Sequence, residues 1–266
     1  MAANYWESSQ FQRFLLTRYE LAELESGHMV HNLSVTEVTH LKIFFANMIM
    51  RIGKRIRIRQ EIIATAVVYF KRFYINNSFY DIDPYLMTAT CVYLACKVDE
   101  NPHHIKYVWS ESKGAFAEVS TDIRFPFDVS DIAECESYLL EEMKFYLVVY
   151  HPYQVLIDLN THLKLAKPSL QAAWSIINDS FCTDMILVYP PHVIAIAAMF
   201  LSRVVDQGSL SETDALQWYA DLNVDMTDVL QVVGELLAVY DVWSTYSEWR
   251  IPELVYRYIA DIAASC

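Results

Sequence analysis

Residues 83–98 read DPYLMTATCVYLACKV, and the architecture of the chain follows from this stretch. Asp83 closes a polar turn, and Pro84 suits the first position of a helix, where its missing N–H costs nothing. Beyond it, Leu86, Ala89, Val92, Tyr93 and Ala95 spread apolar character around most of the helical circumference. A helix apolar on every side is one enclosed by other helices. The stretch has a counterpart. PPHVIAIAAMFLSRVV, residues 190–205, can be laid on it at a constant offset, with Pro191 on Pro84 and Leu201 on Leu94. The same offset sets WSIINDSF (174–181) on VVYFKRFY (67–74), or within one residue of it. We therefore expect an all-α chain of two tandem five-helix repeats.

The flanking sequence sets the boundaries. Residues 1–33 carry Tyr5, Trp6, Phe11, Phe14 and Leu15 in a loose helical stripe, so an extra N-terminal amphipathic helix and linker are expected there. The first repeat is assigned to 34–148. It opens with Ser34 and Glu37 at capping-box spacing on a helix expected to end at Gly53, and a second helix follows from Arg59. Residues 102–128 read as a looser segment, and DVSDIAECESYLLEEMKFYLVVY (128–150) as the helix that closes the repeat. The second repeat is assigned to 149–245, with a C-terminal helical tail over 246–266.

Composition narrows the function. Hydrophobic residues make up 54% and there are only 5 Gly and 8 Pro, which favours long helices over the turn-rich sequences of sandwiches and barrels. The formal net charge of -13 repels nucleic-acid phosphates and anionic lipid, so neither direct nucleic-acid binding nor a membrane role is expected. Against that trend run RIGKRIRIR (Arg51–Arg59) and the pair Lys71 and Arg72. They read as a solvated helix end or as a basic patch for an acidic partner segment. Five cysteines with no C-x-x-C spacing imply reduced thiols inside the cell. The charge-free run Met185–Ser202 is broken by Pro190 and Pro191, well short of the ~20 residues a bilayer span requires.

A catalytic reading finds little purchase. His28 with His31, or His103 with His104 near Asp99 and Glu100, lack a third ligand at metal-site spacing, and no phosphate loop or nucleophile motif is present. No catalytic residue, cofactor or metal is expected.

One feature of the central helix stands out: it ends on Lys97, with Asp99 and Glu100 following. A cation there suits the helix macrodipole by ~0.3–1 kcal/mol. Glu136, however, stands among Cys135, Leu139, Leu140 and Met143 on a second helix, an acid in apolar surroundings. Either the two charges pair at the rim of the core, or both face outward to a partner's backbone.

LACKVDE (94–100) resembles the L-A-x-K-x-E-E signature of the cyclin box, and CESYLLEEMKFYL (135–147) resembles its fifth helix with the glutamate at Glu136. YWESSQ (5–10), ATAVVYFKRFY (64–74), VVYHPY (148–153) and WSIINDSFCTDMILVYPP (174–191) resemble C-type cyclins, which partner the kinase of the transcriptional Mediator complex. The resemblance implies a nuclear regulatory subunit that activates a cyclin-dependent kinase. In it Lys97 and Glu136 would bond main-chain groups at the ends of the kinase αC helix, while Leu94, Val98, Leu140, Phe145 and Leu147 form an apolar floor. Trp174, Asn178 and Asp179 would line a groove for a further subunit of the Mediator kinase module. The chain departs from cell-cycle cyclins at LKIFF (Leu41–Phe45), where those carry MRAIL for substrate docking. RFLL (Arg13–Leu16) matches a minimal destruction box. A cyclin-fold general transcription factor that clamps DNA is the alternative, with Arg51–Arg59 in its favour.

Overall fold

The computed structural model describes residues 4–28, 33–120, 123, 125–163, 165–206, 219–222 and 224–265. These form helices and loops, with no strand among the described residues. The chain divides into two compact units, one of Met1–Val149 with Thr245–Cys266, the other of Tyr150–Ser244.

In the first unit α1 (Arg18–His28) precedes α2 (Val35–Arg55), α3 (Gln60–Asn76), α4 (Pro84–Val98), α5 (Ile105–Val119) and α6 (Val129–Glu142). The Ser34 capping box forms as its spacing predicts. The Ser34 hydroxyl accepts the Glu37 N–H at 3.2 Å, and the Glu37 carboxylate accepts the Ser34 N–H at 2.9 Å. At the head of α4 the Asp83 carboxylate accepts the Tyr85 and Leu86 N–H groups. α4 then runs through the middle of the unit, packed against α2, α3, α5 and α6, with Tyr85, Met87, Ala89, Cys91, Val92, Ala95 and Cys96 fully buried.

Four expectations change. The N-terminal stripe lies on a 3₁₀ turn (Tyr5–Glu7) and a π-helical turn (Gln10–Phe14), ahead of α1, and not on one amphipathic helix. Gly53 does not end α2, which continues to Arg55. A Cβ at Gly53 would stand 2.4 Å from the Ile63 side chain, so the glycine lets α3 approach closely. The segment 102–128 contains α5, whose Val108, Ser112, Ala115 and Phe116 form a buried stripe at helical spacing. Finally, α6 stops at Glu142 instead of running on to Tyr150. Lys144 (φ 48°) and Phe145 (φ 60°) turn left-handed, and the chain continues extended.

The tail belongs to the first unit. After a short 3₁₀ turn (Glu248–Arg250), α12 (Ile251–Ser265) packs on α2, with Tyr258 edge-on to Phe79 and Arg257 bonded to Glu37 at 2.6 Å. The basic stretch is partly consumed inside this unit. Arg51 pairs with Glu248 at 2.8 Å, and Arg55 bridges Glu111 and Glu118 of α5.

The second unit comprises α7 (Pro152–Leu163), α8 (Lys167–Ser180), the single turn α9 (Met185–Val188), α10 (Pro191–Asp206) and α11 (Met226–Trp243). α10 takes the place α4 has in the first unit. It is packed on α7, α8 and α11, with Ile194, Ala195, Ala197, Ala198 and Met199 fully buried. The offset that lays Pro191 on Pro84 also lays the start of α8 on the start of α3. It does not extend to α11. Residues 207–218 of this repeat lie outside the described residues.

Candidate functional site

Lys97 occupies the last turn of α4, where the exposed carbonyl ends favour a cation. α6 packs alongside and brings Glu136 against it, and the Lys97 Nζ and a Glu136 carboxylate oxygen form a direct ion pair. The two ends differ in depth: the Lys97 side chain is 37% exposed and that of Glu136 14%. Lys97 Nζ also sits 4.5 Å from the centre of the Tyr93 ring, one turn back on α4, as their i, i+4 spacing allows. Of the two arrangements open from sequence, the free chain adopts the pair. It lies at an open rim.

Both helices that carry the pair close on a left-handed residue, as α2 does at Arg57. After α4 the Asn101 N–H reaches back to the Cys96 carbonyl at 2.9 Å, with Glu100 left-handed (φ 54°); after α6 the Phe145 N–H reaches the Leu140 carbonyl at 3.1 Å, with Lys144 left-handed. This closure normally uses glycine, because a Cβ in that conformation costs about 1–2 kcal/mol. Strain of this kind persists where the surrounding structure fixes it. Its effect on α6 is concrete: Phe145 is turned outward and is 71% exposed. The extended segment beyond is pinned from inside, because the buried Tyr69 hydroxyl donates to the Leu147 carbonyl at 2.5 Å.

The apolar positions fall into two depths. Val98, Leu140 and Leu147 are half-buried, and Phe145 stands clear of the surface. Leu94, 2% exposed, lies too deep to meet a partner and works as core beneath the rim. Val148 and Tyr138 are exposed apolar neighbours in sequence that the sequence reading did not include.

Trp174, Asn178 and Asp179 do come together on α8 of the second unit, all half-buried. The Trp174 ring lies 4.6 Å from that of Tyr153, whose hydroxyl donates to Asn178 Oδ1 at 2.8 Å. The Tyr240 hydroxyl donates to Asp179 at 3.0 Å. Burial pushes the Asp179 carboxyl up, with that hydroxyl opposing the shift. The polar atoms are thus engaged within the unit, tying α8 to α7 and α11.

Of the histidines weighed for catalysis, the His28 side chain and His31 lie outside the described residues, and His103 and His104 stand at the start of α5. The His104 ring accepts the Lys106 N–H as the cap of α5, and the His103 ring lies tilted against that of Tyr107, 5.9 Å between centres. Cys91, Cys96, Cys135 and Cys182 are buried free thiols. Burial raises the Cys96 thiol to about 12 and that of Cys135 to about 11, far from a reactive thiolate. Among the described residues no helix is long and apolar enough to cross a membrane.

Two helical units, each wound around a central buried helix, with a lysine–glutamate pair at the rim of the first, define a cyclin fold. The cyclin N-terminal domain matches residues 14–148. The chain belongs to the cyclin family. It is 40% identical over 253 residues to cyclin-C of Rattus norvegicus, covering 93% of this chain and 87% of that protein. It is 35% identical over 300 residues to the RNA polymerase II holoenzyme cyclin-like subunit of Emericella nidulans, covering 97% and 98%. Among solved structures, a chain of the yeast TFIIK complex superposes with a TM-score of 0.68 at 22% identity, over 88% of this chain and 99% of that one. A viral cyclin from herpesvirus saimiri gives 0.60 at 16%, over 85% and 99%. At those identities the structural likeness concerns the fold.

Proposed function

We propose that this chain is the activating subunit of a cyclin-dependent kinase of the RNA polymerase II transcription machinery, the nuclear Mediator kinase, and that it performs no reaction itself. The observation that carries the reading is the Lys97–Glu136 pair, left open at the rim beside an outward-turned Phe145. A kinase requires the ion pair between its β3 lysine and its αC glutamate to hold ATP productively. A surface that binds αC only in its inward position shifts the kinase toward activity by the difference in affinity for the two states. About 5.5 kcal/mol of such preference takes a mostly inactive kinase to a mostly active one. Lys97 and Glu136 would exchange their mutual bond for main-chain groups of αC, fixing register, while Phe145, Val98, Leu140 and Leu147 supply apolar contact. The similarity to cyclin-C and to a holoenzyme cyclin-like subunit supports this assignment. The DNA-clamp alternative loses ground, because Arg51 and Arg55 are spent on Glu248, Glu111 and Glu118.

Charge reversal tests the proposal. Lys97→Glu or Glu136→Lys should abolish kinase co-purification and activation while circular dichroism shows an intact helical fold. The double reversal restores an internal pair and so separates the readings. A purely structural pair predicts rescue by the double variant, whereas the proposal predicts continued loss, and full phosphorylation by that variant would refute it.

A further inference from the structure

A cavity of about 190 Å³ opens in the first unit between the N-terminal segment, α3 and the chain leaving α6. It is lined by Arg13, Phe14, Arg72, Lys144 and Tyr146, with Glu142 the one acid. Its polar wall is unusual. Arg72 is 4% exposed, yet its Nε and Nη1 have no hydrogen-bond partner. A buried guanidinium with idle donors is costly unless something anionic meets it. Arg72 Cζ lies 4.1 Å from the centre of the Phe14 ring, and Arg13 Cζ lies 4.8 Å from that of Tyr146. Rings that cover guanidinium faces leave the N–H edges free, and those edges are the part that grips an oxyanion through paired hydrogen bonds.

We propose that this cavity binds a phosphorylated serine or threonine side chain of a partner's peptide segment. Three cations against Glu142 leave two net positive charges, which match the -1.5 to -2 of a phosphate monoester. The volume is about six times a water molecule's share of liquid, room for one such group. Phe14, Leu16, Leu24 and Ile75 offer apolar wall for the residues beside it. Burial, the largest influence, lowers the Arg72 guanidinium to about 10, so it stays charged at neutral pH and gains stability from an arriving anion. The RFLL stretch thereby acquires a role the sequence alone did not suggest, since Arg13, Phe14 and Leu16 all face this cavity. The inference does not depend on the kinase reading.

The test uses the full chain and a fluorescein-labelled, leucine-flanked heptapeptide bearing one phosphoserine, followed by anisotropy. Binding should weaken as salt is raised and be displaced by inorganic phosphate. It should fall by roughly tenfold or more in Arg72→Met and in Arg13→Gln, as expected for lost hydrogen bonds to a charged group. Arg13 is exposed, so its variant keeps the test decisive should Arg72→Met fail to fold. Equal binding of the unphosphorylated serine peptide, or wild-type affinity in Arg13→Gln together with no competition by phosphate, overturns the proposal. Equal binding of the glutamate peptide overturns the phosphate assignment in favour of a carboxylate.

Discussion

Leu94 and Phe145 look alike in the sequence, two apolar residues near the charged pair, and the fold gives them opposite work. Leu94 is sealed under the rim, so Leu94→Ala should cost about 2–5 kcal/mol of stability, measured by urea denaturation. Phe145 contributes little to the core, so Phe145→Ser should leave stability nearly unchanged while reducing kinase affinity by at least about 2 kcal/mol, measured by calorimetric titration. A stability loss at Phe145 with unchanged affinity would remove it from the proposed interface. The sequence could show that Lys97 and Glu136 were misplaced in apolar surroundings. It could not show depth, because depth at a helix rim depends on which neighbouring helix covers the position. The exposure of Val148 was invisible for the same reason.

At the scale of the helix, the ends of α4 and α6 argue that part of this chain's stability is given up for shape. Glu100 holds a left-handed conformation that glycine adopts freely, and Glu100→Gly should raise stability by up to about 1 kcal/mol, read as a rise in the thermal midpoint. The start of α2 shows the opposite tendency. Ser34→Ala should cost about 1 kcal/mol by removing the cap. Glu37 is held below the usual carboxylate range, first by the Ser34 N–H, then by the Ser34 hydroxyl and Arg257. Its folded value is therefore below its unfolded one. The stabilisation is full above about pH 4.3 and is lost as the pH falls through the folded value. The stability gap between wild type and Glu37→Gln should accordingly close in acid; a gap unchanged at low pH would mean the charge is not its source. Caps and periodicity made most helices legible. α5 escaped because Lys106, Ser110, Lys113 and Gly114 dilute its stripe, and the true end of α6 escaped because no glycine or proline marks it.

For the whole molecule, the repeat was readable because each copy must enclose one helix completely, and full enclosure leaves an uninterrupted apolar signature at α4 and again at α10. What no repeat could announce is where residues 245–266 return. A segment outside either copy has no internal template, and its contacts are long-range: Arg257 to Glu37 and Glu248 to Arg51 on α2, and Tyr258 against Phe79 in the turn after α3. α12 also buries Ile251, Val255 and Tyr258, so it is held by core contacts and not only by exposed ion pairs, which individually contribute little. Truncation after Ser244 should then lower the thermal midpoint and reduce amide protection in α2 and in the turn before Asp83, measured by hydrogen exchange. High salt, which screens the ion pairs and spares apolar burial, should produce only a small part of that effect. If salt alone reproduced the truncation, the tail would be an electrostatic appendage, and the first unit would be complete without it.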